Sequence, residues 1–253
     1  MAKKYSREEL LAYLHAIRER GEMIVVAGAG SGLTGKAIEA GGADMLMVFN
    51  SGRYRMSGHG SLSGWLAFGN ANEVAFDMGA HDVLPVVKDI PVICSCFGQD
   101  VTREIGTHLN RVMRENFSGI NKEVDMVRIA REKDIFTIVY VFNEKESRAM
   151  AEAGADCIIS HVGLTVGGMI GTTKSLTIEE SAQLTGRIME AGKAVRDDII
   201  WLAHGGPLAT PKDFAAFRTY LPEIDGFVGA SSMERIPTEE AIVKTVREFK
   251  TLS

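Results

Sequence analysis

The chain has 253 residues, 45% hydrophobic and 24% charged, with a net charge of −5 and a pI near 5.7. That length suits one eight-stranded α/β barrel, and the acidic balance argues against nucleic acid or an anionic membrane as partner, since both need a positive footprint. No apolar run approaches the ~18 residues of a bilayer span, and three cysteines in so long a chain make no disulfide framework.

Met1-Ala2-Lys3-Lys4-Tyr5-Ser6 runs straight into a charged helix from about Ser6 to Arg20, with Ser6 and Glu9 spaced as a capping box. Without an apolar leader the expected setting is cytoplasmic and reducing. Strand candidates follow at Met23–Ala27, Asp44–Phe49, Pro91–Cys96, Phe117–Ile120, Ile135–Val141, Asp156–Ser160, Ile199–Ala203 and Asp225–Val228. The fourth is short and interrupted by Gly119. Helices fit between them, as at Asn143–Ala153 and Ile178–Ala191. This βα alternation predicts a (β/α)8 TIM barrel with an extra N-terminal helix, as one domain over residues 1–253. An open doubly wound sheet is the alternative, and it also places its ligand at the carboxyl ends of the strands.

An internal echo favours the barrel. Ala40-Gly41-Gly42-Ala43-Asp44 leads into the second strand and Ala153-Gly154-Ala155-Asp156 into the sixth. Each is a helix stopped by glycine before a buried strand, and those positions are equivalent if the barrel is two similar halves.

The first strand runs into Gly28-Ala29-Gly30-Ser31-Gly32-Leu33-Thr34-Gly35-Lys36-Ala37. Gly30, Gly32 and Gly35 satisfy G-x-G-x-x-G, and Gly30, Gly35 and Lys36 nearly make a P-loop. Ala37 has no hydroxyl for magnesium, and the second strand ends in Phe49-Asn50 rather than an acid for a ribose. Neither NAD nor ATP is therefore expected. Gly28 and Gly30 remain candidates for close backbone approach to an anionic ligand, against the plainer reading of a tight βα turn.

Asn50–Gly69 is a twenty-residue connection holding five glycines, two arginines and a histidine. So long a loop without its own secondary structure suggests function, and Trp65, Leu66 and Phe68 need burial. Asn50 and Ser51 open it as ligand contacts, and Arg53 and Arg55 offer guanidinium forks for carboxylate or phosphate. A solvated loop is the competing reading.

His161 and His204 end the sixth and seventh strands and would face one mouth as general acid and base. Gly167 and Gly168 follow His161. Gly205-Gly206, Gly229 and Ser231-Ser232 match the usual barrel phosphate site after strands seven and eight. Asp100 and Glu144 are the carboxylates that could hold a divalent cation such as Mg2+, although Glu144 also suits a helix start.

Taken together, Gly28–Gly32, Asn50–Met56 with Gly60-Ser61-Leu62, Tyr140-Val141-Phe142, His161–Gly171, His204–Pro207 and Gly229–Pro237 resemble the phosphoenolpyruvate hydrolase-like family, itself similar to the phosphoenolpyruvate mutase and isocitrate lyase group. The resemblance implies a hydrolase or lyase acting on a small phosphorylated or phosphono 2-oxo acid. The phosphate would lie on Gly205, Gly206, Ser231 and Ser232, the carboxylate on Arg53 and Arg55, with magnesium on Asp100 or Glu144. One departure is that Ile120 passes almost directly to a helix near Lys122, where the family carries a longer segment; the acidic metal pattern of the mutase group is also not distinct. The expected partners are a small anionic substrate and further copies of the chain in a homo-oligomer. The alternative is a non-catalytic anion- or nucleotide-binding or interaction barrel.

Overall fold

The structure is a computed structural model that describes residues 2–64, 68–96 and 121–252. Seven parallel strands form one sheet: β1 (Ile24–Ala29), β2 (Met45–Val48), β3 (Val92–Cys94), β4 (Ile138–Val141), β5 (Cys157–His161), β6 (Ile200–His204) and β7 (Gly226–Gly229). Their order is β3-β2-β1-β7-β6-β5-β4. The first strand therefore pairs with the last, Ala27 against Gly229, as well as with the second, Ala27 against Leu46. This cyclic order is that of a barrel, here curled as a half-barrel with helices outside, and it disposes of the doubly wound alternative, whose order reverses at a switch point. Strand ends shift by up to three residues from expectation, as at β4, which begins at Ile138 rather than Ile135. The fourth expected strand, Phe117–Ile120, lies outside the described residues.

Period-two alternation divides each strand between two faces. Ile24, Val26, Met45, Met47, Cys157, Ile159, Ile200, Leu202 and Val228 fill the inside, while Ala27, Leu46, Ile158, Trp201 and Phe227 pack outward. Outside lie α2 (Gly32–Ala40), α3 (Asn50–Met56), α4 (Ala71–Asp77), α5 (Asn121–Glu132), α6 (Glu144–Ala153), α7 (Ile178–Lys193), α8 (Pro211–Tyr220) and α9 (Ile236–Lys250). None of the described helices is long and apolar enough to cross a membrane. The Asn50–Gly69 connection is not the structureless loop the sequence suggested. Helix α3 starts directly at the end of β2, and a 3-10 turn follows at Ser61–Gly64. Trp65 and Leu66 lie outside the described residues, and Phe68 packs edge-on to Tyr54 and His59.

The N-terminal helix α1 (Arg7–Glu19) begins at the expected capping box, Ser6 accepting from Glu9 N and the Glu9 carboxylate from Ser6 N. Its stripe Leu10, Leu14, Ile17 is buried, and Leu14 and Ile17 join the inner-face cluster. The internal echo has a physical cause at this end. Asp44 accepts from Val25 N of the neighbouring strand at 2.8 Å, Asp156 from Thr137 N at 3.0 Å, and Asp225 from Trp201 N at 2.8 Å. Each carboxylate also holds α1, through Tyr13 at 2.8 Å, Arg7 at 2.6 Å and Arg18 at 2.8 Å respectively. The helix thus plugs the N-terminal end of the barrel, and polar chemistry is left to the other end. Two open clefts of about 490 and 500 Å3 also lie at this N-terminal rim, between α1 and the turns entering β7 and β2.

Removing one partner of a buried pair is strongly destabilising. The Asp156 side chain is 1% exposed and keeps a weaker partner in Arg131 at 3.3 Å. Arg7→Ala is expected to cost about 2–3 kcal/mol, read as a lower urea midpoint; a loss within about 0.5 kcal/mol, the range of ordinary surface changes, would show that the plug does not depend on this pair.

Candidate functional site

The same alternation that fills the barrel with Ile and Met ends in polar residues at its carboxyl end. After Ile138 comes Tyr140, after Cys157 and Ile159 comes His161, and after Ile200 and Leu202 comes His204. His161 and His204 are register partners on adjacent strands. Their rings lie 5.0 Å apart edge to face, and the Tyr140 ring sits 5.5 Å from the first and 5.4 Å from the second. Phe142 closes one side of His161 at 4.9 Å. Tyr140, which the sequence offered only within the family resemblance and not as a site residue, belongs to this cluster; the Ile138-x-Tyr140 spacing is the signal that places it.

The two imidazoles are fixed in opposite tautomers. His204 Nδ1 lies 2.7 Å from the Val228 carbonyl, which can only accept, so Nδ1 carries the proton and Nε2 is left basic. His161 Nδ1 accepts from Gly163 N at 3.2 Å, so in the neutral ring Nε2 carries the proton. Both rings are held neutral. Burial, then the neighbouring His204, lowers His161 to about 3. Burial also lowers His204, to about 4, with the Arg55 charge adding to it against the Val228 hydrogen bond. Burial pushes the Tyr140 hydroxyl well above its ordinary value.

Arg55 and Glu234 form a buried pair at the same mouth. Their side chains are 3% and 0% exposed, with Nη2 and Oε2 3.8 Å apart. Arg55 Nη1 donates to Ser51 Oγ at 3.0 Å, and its guanidinium lies 5.1 Å from the Phe49 ring centre. Burial lowers the Arg55 pKa while Glu234 raises it; burial raises that of Glu234 against the pull of Thr34 and Arg55. Glu234 also explains the glycine-rich first loop. Its Oε1 accepts from Gly30 N and, at 2.7 Å, from Thr34 Oγ1. The anion at the start of α2 is the chain's own carboxylate. A side chain at position 30 is impossible, because its Cβ would stand 2.2 Å from the Gly52 carbonyl.

Several expected roles are corrected. Arg53 does not share the mouth with Arg55, since its Nη2 is engaged by Asp82 at 2.7 Å and Asp77 at 3.3 Å. Helix α3 turns about 100° per residue, so positions 53 and 55 point roughly 160° apart, to nearly opposite sides. Gly30 and Gly206 offer no free amide to a phosphate: the first donates to Glu234, the second to Gly163 O at 2.7 Å. Gly205, at φ +85°, lets β6 cross under the loop after β5; a Cβ there would meet Gly163 O at 2.1 Å. Asn50 is buried and structural, its Nδ2 donating to Gly64 O and its Oδ1 accepting from Ser51 N. Gly28 lies beneath the Phe49 ring, and Gly229 under Met233. Ser231 is buried and Ser232 half-buried in the π turn (Ser231–Arg235) that also carries Glu234. Gly167 and Gly168 are exposed on a strap after β5 that Arg235 and Glu239 pin, through Gly167 O at 3.0 Å and Met169 N at 2.8 Å.

The described carboxylates do not fit a magnesium site. Glu144 is the first residue of α6, half exposed and paired with Arg187 at 2.8 Å, and Glu234 faces a guanidinium; a hard cation needs several oxygens without a competing positive charge. Among the described residues no three His, Cys, Asp or Glu side chains converge on a common point. Asp100 lies outside them.

The sequence model of the family described as phosphoenolpyruvate hydrolase-like matches residues 9–122 and 119–252. Two Solanum lycopersicum proteins are similar over nearly all of the chain. The ToMV susceptible protein tm-1(GCR26) is 36% identical over 100% of this chain and 37% of its own length. The ToMV resistance protein Tm-1(GCR237) is 38% identical over 92% of this chain and 34% of its own. The chain thus spans about a third of the length of these relatives. Among solved structures, a phosphoenolpyruvate phosphomutase from Streptomyces platensis subsp. rosaceus superposes with a TM-score of 0.56 at 12% identity, covering 96% of this chain and 86% of that one. At that identity the likeness is one of fold.

The depressed histidines fix the sign of an acid effect. Between the unfolded value near 6.5 and the folded values the unfolded chain binds more protons, so stability is full above about pH 6.5 and falls as pH drops toward 4. From pH 7 to 5 each ring is expected to contribute roughly 1–2 kcal/mol of that loss. His204→Asn and His161→Asn should each flatten the fall in urea midpoint over this range; slopes identical to the parent would show that neither ring is held neutral by the fold.

Proposed function

The chain belongs to the phosphoenolpyruvate hydrolase-like family, and on that premise we propose that its barrel mouth performs acid–base chemistry on a small phosphorylated or phosphono 2-oxo acid, by hydrolysis or a lyase step. The observation that carries this reading is the pair of facing imidazoles in opposite tautomers. His204 Nε2 is the base and His161 Nε2–H the acid. For hydrolysis of an enol phosphate, water gives a proton to His204 as its oxygen attacks phosphorus. The P–O bond to the enol breaks, the departing oxygen takes the His161 proton, and the resulting imidazolate recovers a proton from the facing His204 imidazolium, which leaves both rings neutral and an enol that becomes the keto acid. The Arg55 guanidinium draws the anion toward the rings, and its charge favours the enolate oxygen as it forms. An arriving anion offsets Arg55 at His204 and makes the imidazolium easier to form.

Release of pyruvate or phosphate from phosphoenolpyruvate and phosphonopyruvate, with and without magnesium, tests the proposal. Turnover is expected, with kcat lowered by roughly 10²–10⁴ in His204→Ala and in His161→Ala. No product from either compound would defeat the substrate assignment.

A second reading, a binding barrel without turnover, is favoured by the burial of Arg55 and Glu234 away from bulk water. The names of the tomato relatives, which refer to susceptibility and resistance to ToMV, are compatible with it. On this reading His161→Ala and His204→Ala bind phosphonopyruvate as the parent does and no product forms.

A further inference from the structure

Arg55 is satisfied on one edge only. Nη1 donates to Ser51, whereas Nε and Nη2, both buried, have no hydrogen-bond partner among the described residues. Nε and Nη2 form the side-on edge of a guanidinium, whose parallel N–H groups match the two oxygens of a planar carboxylate. Glu234 is the near miss that leaves this edge open. Its Oε1 is held by Gly30 and Thr34, while Oε2 accepts no hydrogen bond among the described residues and lies 3.8 Å from Nη2, beyond hydrogen-bond reach. A buried charged group left partly unpaired costs more than a neutral one, so both groups gain from a third.

Resting on the reading of the mouth as an anion site, we propose that Arg55 takes the carboxylate of the ligand side-on through Nε and Nη2, exchanging Glu234 for it as counter-ion. The charge balance favours a singly charged carboxylate over a phosphate dianion at this position. One guanidinium offsets one negative charge, and a second would lie unneutralised beside Glu234. Of the other charged or titratable groups, Tyr140 and Arg235 act on Arg55 and His161 faces His204, and Arg235 is already engaged by Glu239 and Gly167. Once Glu234 loses the guanidinium, burial favours its acid form, so ligand binding takes up a proton on that carboxyl. Both side chains are closed to bulk water, so the proposal requires the mouth to open for a ligand; the strap after β5 is fastened on Arg235, the residue next to Glu234.

Pyruvate is the probe, titrated calorimetrically near pH 7 in buffers of different ionisation enthalpy. The parent chain is expected to bind pyruvate with uptake of about one proton. Arg55→Lys, which keeps the charge and loses the fork, should weaken binding about tenfold or more. Glu234→Gln should bind pyruvate at least as tightly while the proton uptake disappears. Equal affinity in Arg55→Lys, unchanged proton uptake in Glu234→Gln, or no pyruvate binding by the parent would each overturn the proposal. Thermal unfolding of each variant establishes folding, and if Arg55→Lys does not fold, the Glu234→Gln arm decides. Fork-dependent pyruvate binding without turnover of either phospho compound sinks the enzymatic reading and leaves this one; turnover with an unaffected Arg55→Lys does the reverse.

Discussion

A guanidinium removed from water must find counter-charge and hydrogen-bond acceptors nearby, and at the top of this barrel Arg55 imposes that demand on three separate loops. The loop after β1 holds Glu234 through Gly30 and Thr34, the turn after β7 supplies Glu234, and α3 after β2 supplies Arg55 and Ser51. None of these loops is satisfied alone. The close approach of Gly30 to Gly52 brings the first and second together, and Glu234 ties both to the end of the chain. The shape of the mouth follows from pairing one charge.

The two ends of the barrel solve the same problem differently. At the N-terminal end, Asp44, Asp156 and Asp225 each accept from the backbone of an adjacent strand and from a side chain of α1, so their charges are shared among several donors. These carboxylates are saturated, and the helix between them makes the end structural. At the carboxyl end the pairing is incomplete: Arg55 Nε and Nη2 and Glu234 Oε2 have no hydrogen-bond partner among the described residues, and the two groups meet only as an ion pair at 3.8 Å. Incomplete pairing of buried groups is costly for stability, and on the proposed reading a ligand completes it.

Much of the fold was legible because barrel strands obey simple rules. The capping box at Ser6, the glycine-stopped helices before Asp44 and Asp156, and strands ending at His161 and His204 all follow from local chemistry. Asn50–Gly69 was misjudged because Asn50–Met56 carries two glycine-like helix breakers, Ser51-Gly52, yet the demand to bury Arg55 and Tyr54 winds it into α3. Once it is a helix, Arg53 and Arg55 must part, a separation that no reading of the segment as a loop could provide. Glu234 was hidden for another reason: its partners Gly30 and Thr34 are 200 residues or more away, and no local pattern announces a long-range pair. The near-fit of Gly28–Lys36 to a phosphate loop was a real signal, since that loop does hold an anion, but an internal one.

The histidines and the arginine belong to one electrostatic unit. Burial is the main cause that keeps His204 neutral and the Arg55 charge adds to it, so on the proposed reading a guanidinium close enough to act on that ring is also close enough to bring an anion beside it. A buried imidazole alone would be a weak base and a reluctant acid at neutral pH. On the proposed reading an anion between it and Arg55 raises the ring toward its ordinary value, and the tautomer fixed by Val228 already points its basic nitrogen away from the backbone. On the proposed reading, acid–base competence at this mouth is therefore conditional on occupancy: an anion set between Arg55 and the ring offsets part of the charge that lowers His204, and no catalytic residue has to move.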